Sequence, residues 1–194
     1  MTSTRPYRMS ARAAAAAVTR ERIAAAAEHA FSTEWYDDVT IRGIAHVAEV
    51  SEQTVLNHFS SKDELCAVAF ERWTGAIDSR RAEARSAGVG PAVSLLVEDY
   101  ELTGDTTLRM LAVEHRVDSI RPWLAQGRRE HERWVASAFA GALEGLSSDE
   151  RARRLAQLVV VTDVYAWKLL RRDRGLEPDE VAAIITDLVR GLHR

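Results

Sequence analysis

Thr40-Ile41-Arg42-Gly43-Ile44-Ala45-His46-Val47-Ala48-Glu49-Val50-Ser51, continuing as Glu52-Gln53-Thr54-Val55-Leu56-Asn57-His58-Phe59, decides how this chain folds. Thr40 offers a side-chain oxygen as an N-cap, and Ile41, Ile44, Ala45 and Ala48 make a short apolar stripe at helical spacing. Glu49-Val50 reads as a brief turn. Ser51 is a second cap candidate, ahead of a helix over Glu52 to His58. Val55 and Phe59 lie four apart and can face a core, with Val50 closing the turn. These are the proportions of a helix-turn-helix. Glu52, Gln53, Thr54, Leu56, Asn57 and His58 share the remaining faces. Gln53 and Asn57 are also four apart, so their amides sit on one face. Both can make paired hydrogen bonds to an adenine edge in a major groove. The same spacing also fits a polar, solvated face on an ordinary helix.

Outward from this block the pattern stays helical. Upstream, Ile23, Ala26, Ala27, Ala30 and Phe31 form one apolar face of a helix from about Val18 to Thr33, which Trp35-Tyr36-Asp37-Asp38 interrupts. Downstream, Ser61 opens a longer helix, with Asp63 and Glu64 in its first turn where the helix dipole favours negative charge. It is expected to run to about Arg85, where Ser86 to Pro91 punctuates the chain. Further helices are expected over 91–103, 105–118, 121–145, 149–173 and 179–193, with Gly175 and Pro178 marking a stop and restart. No alternating strand pattern is found. The fold class is all-α.

Composition bounds the function. The chain has 194 residues, 46% hydrophobic and 28% charged, with a formal net charge of −3. That excludes a disordered chain and leaves room for one domain or two small ones with a real core. No apolar run approaches the ~18 residues of a membrane span, and the Ala-rich start lacks a signal-peptide layout. A single cysteine, Cys66, excludes an intramolecular disulfide framework and fits a reducing cytoplasm. No Gly-rich phosphate loop follows a strand, no His pair has metal spacing, and Cys66 has no His nearby in sequence. Neither an enzyme nor a cofactor or metal is expected.

Thr40-Ile41-Arg42-Gly43-Ile44-Ala45, Ala48-Glu49-Val50-Ser51, Thr54-Val55, His58-Phe59 and Ser61-Lys62-Asp63-Glu64-Leu65 together resemble the DNA-binding domain of TetR-family transcriptional regulators. Ile23, Phe31 and Tyr36 fall at the spacing of that family's first helix. The resemblance covers about 17–77. It implies a second, all-helical domain over 78–194 that binds an effector and dimerises. It further implies operator contacts from Thr40, Arg42, Ser51, Gln53, Thr54, Leu56, Asn57, His58 and Lys62. Lys62 begins the fourth helix, where the dipole disfavours a cation, so phosphate is its natural partner. The sequence departs from the family pattern at three places. Glu49 holds a turn position usually given to glycine, Gln53 stands where glycine is frequent, and Leu56 replaces an aromatic residue. Residues 1–65 carry seven Arg/Lys against nine Asp/Glu, and the positive charge concentrates in Arg5, Arg8, Arg12, Arg20 and Arg22. Phosphate contacts dominate DNA affinity, so binding leans on this arm and on Lys62.

In the remaining two-thirds, Leu155, Leu158, Val159, Thr162, Ala166 and Leu169 make one helical stripe, and Val160, Val161, Val164 and Trp167 a second. A helix apolar on two faces needs two partners. With the last helix, the resemblance implies a four-helix dimer interface through Val161, Ile184, Ile185 and Leu188. The competing reading is a thick monomeric core. Tyr100, His115, Trp123, Trp134, Thr162, Asp163, Tyr165 and Trp167 are candidates for a small-molecule pocket, since such sites are apolar with a few convergent polar groups. Plain core packing accounts for the same residues. The expectation is a cytoplasmic, homodimeric, small-molecule-responsive repressor that binds double-stranded operator DNA. The alternative is a helical dimeric binding or scaffold protein whose reading head has weakened.

Overall fold

The computed structural model describes the backbone of residues 5–82 and 88–192, and the side chains of 12–72 and 88–192. Among these residues every regular element is helical: α1 Arg5–Thr33, α2 Ile41–Val47, α3 Glu52–His58, α4 Lys62–Ala82, α5 Val89–Val113, α6 Arg121–Ala138, α7 Ser148–Thr162, α8 Val164–Lys168 and α9 Pro178–Gly191. Short 3₁₀ turns cover Asp118–Ile120 and Ala140–Leu143, and one π-turn covers Leu169–Asp173. The expected end of α4 near Arg85 and the break at Ser86 lie outside the described residues, as does His193. No helix among the described residues is long and apolar enough to cross a membrane.

The chain divides into two compact units. The first comprises Met1–Trp73 together with Arg116–Ile120. Its core is built from Ile23, Ala27 and Phe31 of α1, Ile44 and Ala45 of α2, Val55 of α3, Phe59, and Leu65, Cys66 and Phe70 of α4, all buried. Thr40 Oγ1 accepts from the Gly43 N–H at 3.0 Å, and Ser51 Oγ accepts from the Thr54 N–H at 3.1 Å. Both caps satisfy N–H groups that a helix start leaves without intrahelical partners. At α4, Ser61 Oγ accepts from the Glu64 N–H while the Glu64 carboxylate accepts from the N–H and hydroxyl of Ser60, each at 2.7 Å. This reciprocal arrangement is a close relative of the capping box. Glu49 has φ of +52°, alone among described non-glycine residues in the left-handed region, as its turn position predicts.

The segment Arg116–Ile120 joins α5 to α6 yet belongs to the first unit. Arg116 forms a two-pronged ion pair with Asp37, at 3.1 and 2.7 Å, and Ser119 Oγ donates to the Asp63 carbonyl at 3.1 Å. Val117 and Ile120 are buried.

The second unit comprises Thr74–His115 and Arg121–Arg194. α5 packs against α6, α8 and α9, and α7 against α6 and α9. The core includes Leu96, Val97, Trp134, Phe139, Leu143, Leu158, Trp167, Val181, Ile185 and Val189. Three expected boundaries change. The helices expected at 91–103 and 105–118 are one helix, because Gly104 does not break α5. It instead makes room for Trp167, whose ring would lie 2.5 Å from a Cβ at that position. The helix expected over 121–145 ends at Ala138 and passes into the turn Ala140–Leu143. The helix expected over 149–173 breaks after Thr162, where Asp163 has ψ of 155° and its carboxylate caps the Tyr165 N–H at 2.9 Å. The break turns Val164 and Trp167 into the core beside Leu158 and Thr162, while Val160 and Leu169 of the same two stripes stay exposed.

Candidate nucleic-acid interface

Packing decides which residues of α3 are available to a partner. Val55 is buried within the helix, and Phe59, its C-cap, is buried directly after it. Glu52, Gln53, Leu56 and Asn57 are consequently exposed, while Thr54 and His58 are partly buried. Gln53 Nε2 donates to Asn57 Oδ1 at 3.0 Å, so the two amides share one face as their spacing requires. The pair leaves one amide oxygen and one amide NH₂ facing outward, and both groups can re-pair with a base edge. Leu56, 43% exposed, offers an apolar surface between them. Thr40 and Ser51 are exposed at the starts of α2 and α3, with their side-chain oxygens serving as caps. Thr54 Oγ1 lies 2.8 Å from Ser51 Oγ. Arg42 is exposed on α2.

Lys62 is held more firmly than its sequence context suggests. Its ammonium sits over the Tyr36 ring, 4.2 Å from the centroid. Tyr36 in turn donates its hydroxyl to Asp63 Oδ1 and stacks on Phe31. Partial burial pushes the Lys62 pKa down, while Asp37 and Asp63 act the other way. Burial and the bond to Asp63 push the Tyr36 hydroxyl well above its ordinary range, and Arg116 holds the Asp37 carboxyl below its own. A cation over a ring still presents N–H donors outward, so this placement orients Lys62 without consuming it. Sequence spacing does not show the arrangement, since Tyr36 and Lys62 are brought together only by the fold.

Sequence reasoning also missed what Arg20 does. Its Nη1 donates to the His58 carbonyl at 2.5 Å, and its guanidinium lies 4.1 Å from the Phe59 ring centroid. Among the other arm residues, Arg12 and Arg22 are exposed; the side chains of Arg5 and Arg8 lie outside the described residues.

In the second unit the expected pocket residues separate into two groups. Tyr100, Trp134, Thr162 and Trp167 are buried. The Tyr100 hydroxyl donates to the Thr162 carbonyl at 3.0 Å, Thr162 Oγ1 lies 3.2 Å from His131 Nε2, and the His131 ring stacks on Trp134. His131 was not singled out by the sequence; its neighbours Arg129, Glu130, Glu132 and Arg133 disguise it as part of a solvated face. His115 and Tyr165 are exposed and Trp123 is partly buried, so none of them joins this buried group, and Asp163 is occupied as a cap.

The dimerisation residues also separate. Leu188 is 47% exposed, and Val161 and Ile184 are partly buried. Ile185 is fully buried in the protomer's own core, which corrects its expected place in an interface: α9 turns that side inward against α5. Val160, 68% exposed, is the apolar residue of α7 that the expected set omitted.

A capped pair of short helices, with an amide-bearing face outward and a cationic residue beginning the next helix, defines the class: a helix-turn-helix DNA-binding protein with a helical second unit. The family model of bacterial regulatory proteins of the tetR family matches residues 23–69. Across most of the chain the fold is similar to a transcriptional regulator from Pseudomonas aeruginosa (18% identity, 90% of this chain and 89% of that one, TM-score 0.68). It is also similar to a TetR-family transcriptional regulator from Mesorhizobium loti (20% identity, 91% and 96%, TM-score 0.63). A third similar structure is the transcriptional regulator FadR from Bacillus subtilis in complex with stearoyl-CoA (15% identity, 87% and 96%, TM-score 0.64). No curated protein matches by sequence. The chain is therefore a DNA-binding transcriptional regulator that carries a tetR-family domain over residues 23–69 and shares the fold of such regulators along most of its length.

Proposed function

We propose that the protein is a homodimeric repressor that reads operator DNA through α3 and releases it on binding a small-molecule effector in its second unit. The observation that carries the reading is the division of α3 into a buried side, Val55 with Phe59, and an exposed side bearing Gln53, Leu56 and Asn57. Gln53 and Asn57 make the base-edge contacts. Thr40, Arg42, Ser51, Thr54, His58 and Lys62 serve the DNA backbone and the helix's seating.

A twofold dimer presents two heads to two half-sites. The exposed apolar residues Val160 and Leu188, with Val161 and Ile184 beside them in the helical pattern, support a second copy as the partner of α7 and α9. The buried polar group Tyr100, His131 and Thr162 amid aromatic residues supports an effector site there, as does the existence of a structural neighbour in complex with stearoyl-CoA. The effector acts by population shift: it favours a spacing of the heads that no longer matches the operator.

The test is selection of duplexes from a random library by the wild-type protein, followed by binding across a salt series. Enrichment of a two-half-site sequence, bound in a salt-dependent way, is the expected result. The second reading, a helical binding protein with a weakened head, is favoured by Asp37, Asp38, Glu49, Glu52 and Glu64 around α2 to α4. It predicts no enrichment.

A further inference from the structure

We propose that Arg20 is the positioning residue of the recognition helix, clamping the C-terminal end of α3 against α1 through the His58 carbonyl and the Phe59 ring. The inference rests on α3 being the base-reading helix.

α3 has seven residues, about two turns, and a helix that short does not hold itself. Its first turn is secured by Ser51. At its other end the last carbonyls have no intrahelical donors. The Phe59 N–H closes one of them, bonding the Val55 carbonyl at 2.9 Å. Arg20 closes another, with Nη1 2.5 Å from the His58 carbonyl. A cation there also suits the negative end of the helix dipole. The same guanidinium covers the Phe59 ring at 4.1 Å, and Phe59 is buried, so the clamp ties α3 to the core from the outside. Arg20 further helps hold the Glu64 carboxyl below its usual range, after the larger effect of Ser60. One side chain therefore meets the end of α3 and its cap.

Charge alone groups Arg20 with Arg12 and Arg22 as a phosphate ligand. The geometry gives it a partner within the protein, and the two roles have different signatures. A phosphate contact adds affinity for every sequence and steepens the salt dependence. A positioning residue fixes where the Gln53 and Asn57 amides fall, and paired base contacts tolerate displacements of only about 0.5 Å.

The experiment measures Arg20→Ala and Arg20→Lys against wild type, on a duplex selected by the wild-type protein and on its scrambled counterpart, over a salt series. Helical circular dichroism at the assay temperature confirms folding. For Arg20→Ala the expected result is a loss of about tenfold on the selected duplex, the size of one lost base contact. Scrambled-duplex affinity should stay within about twofold, and the salt slope should be unchanged. Arg20→Lys keeps the charge and should keep most of the loss, because a compact ammonium lacks the planar fork with which the guanidinium covers the Phe59 ring and reaches the His58 carbonyl at once. Equal loss on both duplexes with a salt slope smaller by about 0.9 overturns the proposal in favour of a phosphate contact. Wild-type binding by Arg20→Ala overturns it as well. If Arg20→Ala does not fold, Arg20→Lys decides alone, and near-wild-type discrimination by that variant overturns the proposal. Gln53→Ala and Asn57→Ala, run in parallel, separate the two levels. If they leave discrimination intact, α3 is not the reader; if they abolish it and the Arg20 variants do not, only the clamp fails.

Discussion

Glu49 carries a side chain at φ of +52°, where the Cβ crowds the backbone at a cost of about 1 kcal/mol. Glycine there removes the strain and adds chain entropy to the unfolded state, roughly 0.5–1 kcal/mol in the other direction. Glu49→Gly should therefore leave the melting temperature level or raise it by about 1–2 °C. It also removes a negative charge beside the reading helix, so DNA affinity should rise at low salt. Calorimetry and a salt series check both outcomes. Glu64 is the second residue with a definite expectation. Its two bonds from Ser60 hold its folded pKa below the ordinary value. The stabilisation is therefore present above about pH 4.3 and is lost as pH falls through the folded pKa. Glu64→Ala should cost about 1 kcal/mol at neutral pH, with the difference from wild type closing below about pH 4 in acid denaturation. The Glu49 conformation was legible because a resemblance marked the position as a glycine site. The Lys62–Tyr36 and Arg20–His58 contacts were not, because each joins residues whose proximity only the tertiary fold creates.

Among the elements, α2 and α3 were readable in full, since caps and apolar spacing act over a few residues and packing agreed with them. The long helices of the second unit were not. α5 runs through Gly104 because the absent Cβ is filled by the Trp167 ring, a gain that no local propensity records. Trp167 is fixed by Glu101, which accepts from its Nε1 at 2.9 Å, and by Arg172 lying 4.5 Å over the ring. Gly104→Ala would ordinarily strengthen a helix by about 1 kcal/mol. Here the ring cannot yield, so overpacking should win and destabilise the protein by about 1–3 kcal/mol net in chemical denaturation. On α3 and α4 the expected division of labour is between charge and base reading. Lys62→Ala should weaken all duplexes alike and lower the salt slope by about one. Gln53→Ala or Asn57→Ala should cost about 1–3 kcal/mol on the selected duplex and relax preference at particular base pairs. Competition binding with single-base variants distinguishes these patterns.

For the whole molecule, burial sorts residues that periodicity had grouped. Ile184, Ile185 and Leu188 share the apolar stripe of α9, yet Ile185 lies wholly within the protomer and Leu188 does not. Leu188→Asp should give a folded protein that sediments as a monomer at micromolar concentration. Ile185→Asp should fail to fold, because it places an unpaired charge in a sealed core at a cost of several kcal/mol. A Leu188→Asp protein that is still dimeric would count against the proposed pairing of α7 and α9 with a second copy.

The threading of Arg116–Ile120 through the DNA-binding unit bears on how such a gene can be recombined. A chimaera joined once, near residue 82, would inherit its helices α1 to α4 from one parent and their Arg116 and Ser119 partners from the other. Exchange of operator specificity between relatives therefore requires two coordinated segments rather than one crossover. A head expressed by itself as 1–82 would begin life without the residues that engage Asp37 and Asp63.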